Sequence, residues 1–117
     1  MSYDLAVWEG ARPSSDEEAM TVFLALMDQL EDAEPQPPTA GIQAYVQALL
    51  ARWPDITTDA GENSPWADGP LIGNASGASI YFSMVWSAAD EASAFAAQLA
   101  ARQGLVCFDP QLDALRP

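Results

Sequence analysis

The most strand-like segment of the chain is the uncharged run of residues 79–86, which is rich in β-branched and aromatic side chains and lacks glycine and proline. Such a run is typical of a strand inside a sheet. Because successive side chains of a strand point to opposite faces, every second residue is predicted to pack against helices. These residues are Ile80, Phe82, Met84 and Trp86. The other face, where Tyr81 lies between serines, is predicted to meet water or a partner.

Three further segments have the composition of strands. Residues 3–8 alternate an apolar face with a mixed one and end before a glycine. Residues 71–76 are predicted to form a weak edge strand, which a turn at residues 74–77 joins to the central strand as a hairpin. Residues 105–108 are predicted to be the last strand, because Asp109 and a proline follow them.

Apolar residues recur at helical spacing in three other segments. The predicted helices cover about residues 16–33, 40–53 and 88–102. Ser14 or Ser15 can begin the first helix in a capping box, since each has a glutamate three residues on. Thr39 and Ser87 are the predicted N-caps of the other two helices, and Gly104 provides a left-handed C′ residue after the last one.

The predicted order of elements is β-α-α-β-β-α-β in a single domain covering residues 1–117. Apart from the second helix, this is the order of the ferredoxin-like fold. We therefore predict an α+β protein with a four-stranded antiparallel sheet, its first and third strands in the middle and its helices on one face. The open face would carry Asp4, Trp8 and Tyr81, which form a second-choice surface for a partner or a homodimer.

The charge of the chain is strongly one-sided, with 17 acidic residues against four arginines, no histidine and a net charge of −13. Without a basic patch to neutralise phosphates, nucleic acid and anionic membranes are not expected as ligands. Solubility alone can explain an acidic surface. A field of one sign also attracts a partner of the opposite sign, so the sharper hypothesis is a basic protein partner.

Few chemical sites are compatible with this composition. The lack of histidine excludes triads with an imidazole base and histidine-bound zinc. Asp55, Thr57 and Asp59 resemble the start of a calcium loop, but Ala60 and Trp66 stand where glycine and glutamate are required. We therefore expect no metal site, no cofactor and no enzymatic activity.

Acid–base chemistry by paired carboxylates remains open, because Asp4, Asp68 and Asp109 could meet at one end of the sheet. Structural roles at turns and strand ends are the favoured interpretation of these three residues. Cys107, the one cysteine, lies in an apolar run and is expected to be buried and inert. With no secretory signal and no apolar run long enough to cross a bilayer, the expected compartment is the cytoplasm.

The longest irregular segment covers residues 55–70 and surrounds one aromatic residue with acids. A loop of this length in a compact domain is usually functional or disordered. Its acids are Asp55, Asp59, Glu62 and Asp68. Because tryptophan is a frequent interface anchor and charges set association rates, these acids and Trp66 form the predicted partner-binding surface.

Three segments resemble a known group of proteins: residues 3–10 (YDLAVWEG), 64–68 (SPWAD) and 104–111 (GLVCFDPQ). The chain resembles small, mostly uncharacterised bacterial proteins that begin with a YDLxVWEG-like strand and end with a GLVxxDPQ-like one. Some of them are encoded near polymorphic toxins and are suspected immunity proteins. The resemblance implies that this protein binds and neutralises a cognate toxin, and it brings no functional residue with it.

Three functional hypotheses follow. The leading one is an acidic binding module of the immunity type, which inhibits a basic toxin. The second is a small ligand-binding or enzymatic domain that uses the open sheet face. The third is a structural homodimer.

Overall fold

The computed structural model describes residues 2–61 and 63–117, and within them it shows an antiparallel sheet and three α-helices. The strands are β1 (Ser2–Trp8), β2 (Ala75–Ser76), β3 (Ser79–Val85), β4 (Val106–Asp109) and β5 (Ala114–Leu115). The helices are α1 (Asp16–Asp32), α2 (Ala40–Arg52) and α3 (Ala89–Arg102). Short 3-10 segments lie at Asp59–Gly61, Leu71–Asn74 and Trp86–Ala88. The predicted α+β class with an antiparallel sheet is confirmed.

The strands lie in the order β2-β3-β1-β4-β5, so β1 occupies the centre of the sheet. Its register against β3 pairs Leu5 with Phe82 and Val7 with Ile80. On its other side Val7 pairs with Cys107 of β4. The first strand thus brings the N-terminal and C-terminal parts of the chain together.

Both faces of the sheet are covered by helices. On one face α2 and α3 enclose the larger core, which includes Leu5, Tyr45 and Phe82. On the other face α1 lies over a smaller core that includes Trp8 and Phe108. The Phe23 ring of α1 packs 5.1 Å from the Phe108 ring, measured between centroids. The fold therefore has three layers, with the sheet in the middle.

The predicted four-stranded ferredoxin-like sheet with its helices on one face is wrong in two respects. The sheet has a fifth strand, β5, in the described chain, and α1 lies on the face expected to be open. The physical reason lies in β1, where all residues from Leu5 to Trp8 are buried. A strand that is apolar on both sides needs cover on both sides, as a buried central strand does.

The helix starts were predicted correctly for α1 and α2. The Ser15 hydroxyl accepts the Glu18 N–H at 3.1 Å, while the Glu18 carboxylate accepts the Ser14 hydroxyl. Thr39 caps α2 in the same way by accepting the Ile42 N–H at 3.3 Å. The predicted cap Ser87 is wrong, because it lies within a 3-10 segment that leads into α3.

Two predicted strand ends also differ from the structure. The weak strand at residues 71–76 is reduced to β2, because the chain forms a 3-10 turn at Leu71–Asn74. The turn starts at Leu71, whose N–H donates to the Asp55 carboxylate at 2.9 Å instead of to a neighbouring strand. Strand β3 ends at Val85, so Trp86 leaves the sheet and is 54% exposed. Gly104 has the predicted left-handed conformation, with φ of 74°.

Candidate functional site

The irregular segment predicted as the partner-binding surface is organised around Asp55. One oxygen of its carboxylate accepts the N–H and the hydroxyl of Thr57, both at 3.1 Å, and the other accepts the Leu71 N–H. Burial acts to raise the pKa of this carboxyl, but the donors from Leu71 and Thr57 outweigh it and hold the pKa below its usual value. Asp55 therefore has a structural role in holding the loop together.

The other acids of this segment have different positions. Asp59 and Asp68 are exposed, and Asp68 accepts the Asn74 side-chain amide at 3.1 Å. Glu62 lies outside the described residues. Gly61 lies so close to Asp55 that an added Cβ would be 1.9 Å from the Asp55 carbonyl oxygen, so a side chain there would displace the loop. The segment thus offers two exposed carboxylates on a closely packed backbone.

Trp66, the predicted anchor, is part of the core. Its side chain is 1% exposed, and its Nε1–H donates to the Trp53 carbonyl at 3.0 Å. Its backbone forms an antiparallel bridge with Met84, which pairs the segment with the edge of β3 that faces away from β1. A side chain in this position contacts its own fold and presents no surface to a partner. The structure therefore places the predicted anchor Trp66 inside the core instead of on the surface of the irregular segment.

The second-choice surface of Asp4, Trp8 and Tyr81 lies beneath α1. Trp8 is 4% exposed, with its ring 6.3 Å from that of Phe108. The Tyr81 hydroxyl donates to the Asp4 carboxylate at 2.7 Å, and its ring is 6.1 Å from that of Phe23. The face that was expected to meet a ligand or a second copy is occupied by the chain's own helix.

The three carboxylates considered for acid–base chemistry do not converge. Asp4 bonds to Tyr81 on the α1 face, whereas Asp109 is fully buried and bonds to Tyr3 at the edge of the larger core. Asp68 lies in the irregular segment. The carboxylate of Asp109 accepts further hydrogen bonds from Arg116 at 2.9 Å and from the side chain of Gln111 at 2.7 Å. These hydrogen bonds connect the C-terminal residues Gln111 and Arg116, through Asp109, to Tyr3 of β1.

All three tyrosines of the chain have pKa values above the ordinary value of 10. Burial and the hydrogen bond to Asp109 raise the pKa of Tyr3 to about 12. Burial and the hydrogen bond to Asp4 raise that of Tyr81, and burial raises that of Tyr45, whose hydroxyl donates to the Ala96 carbonyl. Because each folded-state pKa lies above the unfolded one, the neutral tyrosines contribute fully to the free energy of unfolding below pH 10, and this contribution is lost progressively as the pH rises above 10.

A spectrophotometric titration tests this prediction. In the native protein we expect no phenolate absorbance at 295 nm on passing pH 10, followed by a rise that coincides with unfolding at higher pH. In concentrated urea the three tyrosines should titrate together near pH 10. A phenolate step at pH 10 in protein with native circular dichroism would contradict the prediction.

Cys107 is buried in β4 with 3% of its side chain exposed, and burial raises the pKa of its thiol to about 12. A neutral, enclosed thiol is a poor nucleophile. We expect a disulfide reagent such as DTNB to leave the native protein unmodified and to titrate one thiol in concentrated guanidinium chloride. Rapid modification at neutral pH without loss of structure would show that the strand opens readily.

Sequence reasoning missed the aromatic residue that is exposed. Trp86 lies at the end of β3, and its ring is tilted against that of Tyr3 at 5.8 Å. Tyr3 is itself held by its bond to Asp109. The missing signal is the position of the strand end, since an alternating pattern assigns Trp86 to the buried face for as long as the strand is assumed to continue.

The acidic residues lie almost entirely on the surface. Among the described carboxylates, all but Asp4, Asp55 and Asp109 are exposed. In the described part of the chain, arginine forms ion pairs with Glu91 and Asp109 alone. The exposed negative charge is therefore largely uncompensated.

Helix α1 carries acidic groups at both of its ends. Asp16, Glu17 and Glu18 lie in its first turn, where the helix dipole favours negative charge. A second group lies at its other end, with no basic side chain in the last turn. Its members are Asp28, Glu31, Asp32 and, just beyond the helix, Glu34. Negative charge at a helix C-terminus is unfavourable by about 0.3–1 kcal/mol per group, so the stability of the helix does not explain it.

A groove with a volume of about 430 Å³ lies beside this acidic end of α1. One wall is the apolar side of the helix, including Leu26 and Leu30, and the opposite wall is the turn between β2 and β3 at Gly77. Trp8 lies at its base, and Glu9 and Glu34 are its ionisable lining residues. The groove thus combines apolar walls with negative charge.

The wall opposite α1 is held by hydrogen bonds from the linker that follows α1. The linker between α1 and α2 donates the Gln36 N–H to the Ser76 hydroxyl at 2.9 Å and accepts the Gly77 N–H at 3.2 Å. The Thr39 N–H then donates to the Gly77 carbonyl at 2.9 Å. These bonds hold the linker against the turn, so that this side of the groove is preformed.

Neither a cluster of metal-ligating side chains nor a membrane-spanning helix is found among the described residues. No three Asp, Glu or Cys side chains there come close enough together to hold a metal ion. None of the helices there has the length and apolar character needed to cross a membrane.

Comparison of the chain with protein-family models, with curated proteins and with solved structures finds no match.

Proposed function

We propose that this protein is an acidic binding module that attaches to a basic partner protein and blocks it, in the manner of an immunity protein and its toxin. The proposal extends the sequence resemblance and the net charge of −13. Such a charge accelerates association with an oppositely charged surface and makes it dependent on salt.

One observation carries the proposal: the acidic C-terminal end of α1, where Asp28, Glu31, Asp32 and Glu34 oppose the helix dipole. Charges that reduce the stability of their own helix, and that no arginine of the described chain neutralises, are accounted for if a basic partner neutralises them. The acids in the first turn of the same helix need no such explanation, because the dipole stabilises them.

The two ends of α1 provide a matched pair of variants. We expect Glu31→Gln with Asp32→Asn to stabilise the fold by roughly 0.6–2 kcal/mol, twice the dipole effect of one charge, while slowing association with the partner. Asp16→Asn with Glu17→Gln removes the same charge and should reduce stability instead. A gain in stability together with a loss of binding would be the mark of residues retained for recognition.

The partner to test is the protein encoded by the gene adjacent to this one. Surface plasmon resonance at increasing salt is expected to show an association rate that falls by about tenfold or more between low and high ionic strength. Asp59→Asn with Asp68→Asn tests whether the two exposed acids of the irregular segment also contribute. Binding that is insensitive to salt and to all three double variants would overturn the proposal, as would the absence of binding.

A further inference from the structure

We infer that the groove beside α1 receives an arginine- or lysine-bearing segment of the basic partner. This inference rests on the proposed function and assigns it a contact site, the groove lined by Trp8, Leu26, Leu30, Glu9, Glu34 and Gly77.

The charge of the groove selects a cation. Both ionisable lining residues are glutamates. The end of α1 adds its own negative character, because the last carbonyl groups of a helix lack intrahelical donors and carry the negative end of the dipole. An anionic ligand would meet three sources of repulsion at this site, whereas a guanidinium or ammonium group would meet three of attraction.

The shape of the groove suits the rest of such a side chain. Arginine and lysine have apolar stems that lie along apolar surface while their charged ends reach polar groups. The wall formed by Val22, Leu26 and Leu30 provides that surface, and Glu34 follows just beyond the end of the same helix. Apolar residues next to the basic one in the partner could contact the same wall.

The side chains of Glu9 and Glu34 differ in how firmly the fold holds them. The Glu9 carboxylate accepts the Thr39 hydroxyl at the start of α2, and an added Cβ on Gly41 would lie 3.1 Å from it. Glu9 is therefore held in place by the fold. Glu34 is exposed beyond the end of α1. Glu34→Gln consequently tests the electrostatics of the groove with less risk to the fold than a change at Glu9.

Short peptides can probe the groove without knowledge of the partner. We would titrate the ¹⁵N-labelled protein with the capped tetrapeptide Ac-Leu-Arg-Leu-Arg-NH₂ and, as a matched control, with Ac-Leu-Glu-Leu-Glu-NH₂. The basic peptide should shift the Trp8 indole and Gly77 amide resonances saturably, and the acidic one should not. Glu34→Gln should weaken this binding by about threefold, as expected for one exposed ion pair.

A steric variant separates the groove from the general acidity of the surface. Ala33 lines the groove and is exposed, so Ala33→Phe should fill part of it without a change in charge and abolish the saturable shifts. Ala25→Phe, on an exposed part of α1 outside the groove, should leave them unchanged. Shifts that do not saturate, or that persist in Ala33→Phe, would overturn the inference.

Failure of this inference can be distinguished from failure of the proposed function. If the adjacent gene product binds the wild type and Ala33→Phe equally tightly and with strong salt dependence, the groove is excluded and the proposed function stands. If the basic peptide saturates the groove but the adjacent gene product does not bind, the inference about the groove is supported and the proposed function is not.

Discussion

Replacing Trp66 with alanine is expected to lower the free energy of unfolding by about 4 kcal/mol. The indole is 1% exposed, and its ring lies edge-on to those of Trp53 and Phe82 at centroid distances of 5.9 and 6.0 Å. Its Nε1–H also satisfies the Trp53 carbonyl. Truncation therefore opens a cavity at the edge of β3 and removes a buried hydrogen bond as well.

Urea unfolding followed by far-UV circular dichroism measures this loss. Trp86→Ala is the matched control, because it makes the same change at a side chain that is 54% exposed, and it should cost less than about 1 kcal/mol. Trp66→Phe keeps part of the packing and should fall between the two variants. Equal losses for Trp66→Ala and Trp86→Ala would contradict the burial of Trp66.

Replacing Asp109 with asparagine is expected to lower the free energy of unfolding by about 3 kcal/mol. The carboxylate is fully buried and accepts hydrogen bonds from Tyr3, Arg116 and the Gln111 side chain. An amide in its place would direct a donor towards other donors. It would also leave the Arg116 guanidinium, whose side chain is 20% exposed, without its counter-ion.

The control for Asp109 is Asp28→Asn, which removes the same charge from an exposed position near the end of α1. It should leave stability unchanged or slightly raised, since the dipole disfavours a negative charge there. Both variants can be compared by chemical unfolding at neutral pH. An Asp109→Asn variant as stable as the wild type would show that the hydrogen bonds of the C-terminal segment contribute little.

The two tryptophans show where a sequence pattern stops being informative. Trp66 lies in a polar, irregular segment and was expected to be exposed, whereas Trp86 ends an apolar alternation and was expected to be buried. Their burial is reversed in the structure. The segment around Trp66 folds over β3 and pairs with Met84, and the strand ends one residue before Trp86. Both features depend on contacts between distant parts of the chain, which local periodicity does not contain.

Some features of the candidate site are also visible in the sequence, whereas others need the structure. The acids at the end of α1 and their conflict with the helix dipole can be read from residues 28–34 alone. The groove beside them cannot, because its lining comes from β1, α1, the linker and the turn between β2 and β3. Asp55 was assigned to a partner from composition, but its three hydrogen bonds within the loop became visible only with the backbone in place.

Local sequence features predict the α+β class, a serine N-cap of α1 at Ser14 or Ser15, the N-cap at Thr39, a hairpin before β3 and the excess of negative charge. These features depend on local hydrogen bonding, on periodicity and on composition, all of which act between near neighbours in the chain. Three further features are visible only in three dimensions: α1 covers the second face of the sheet, Trp66 is buried, and a groove forms beside Glu34. Those outcomes depend on which apolar surfaces meet, and burial is a property of the assembled fold.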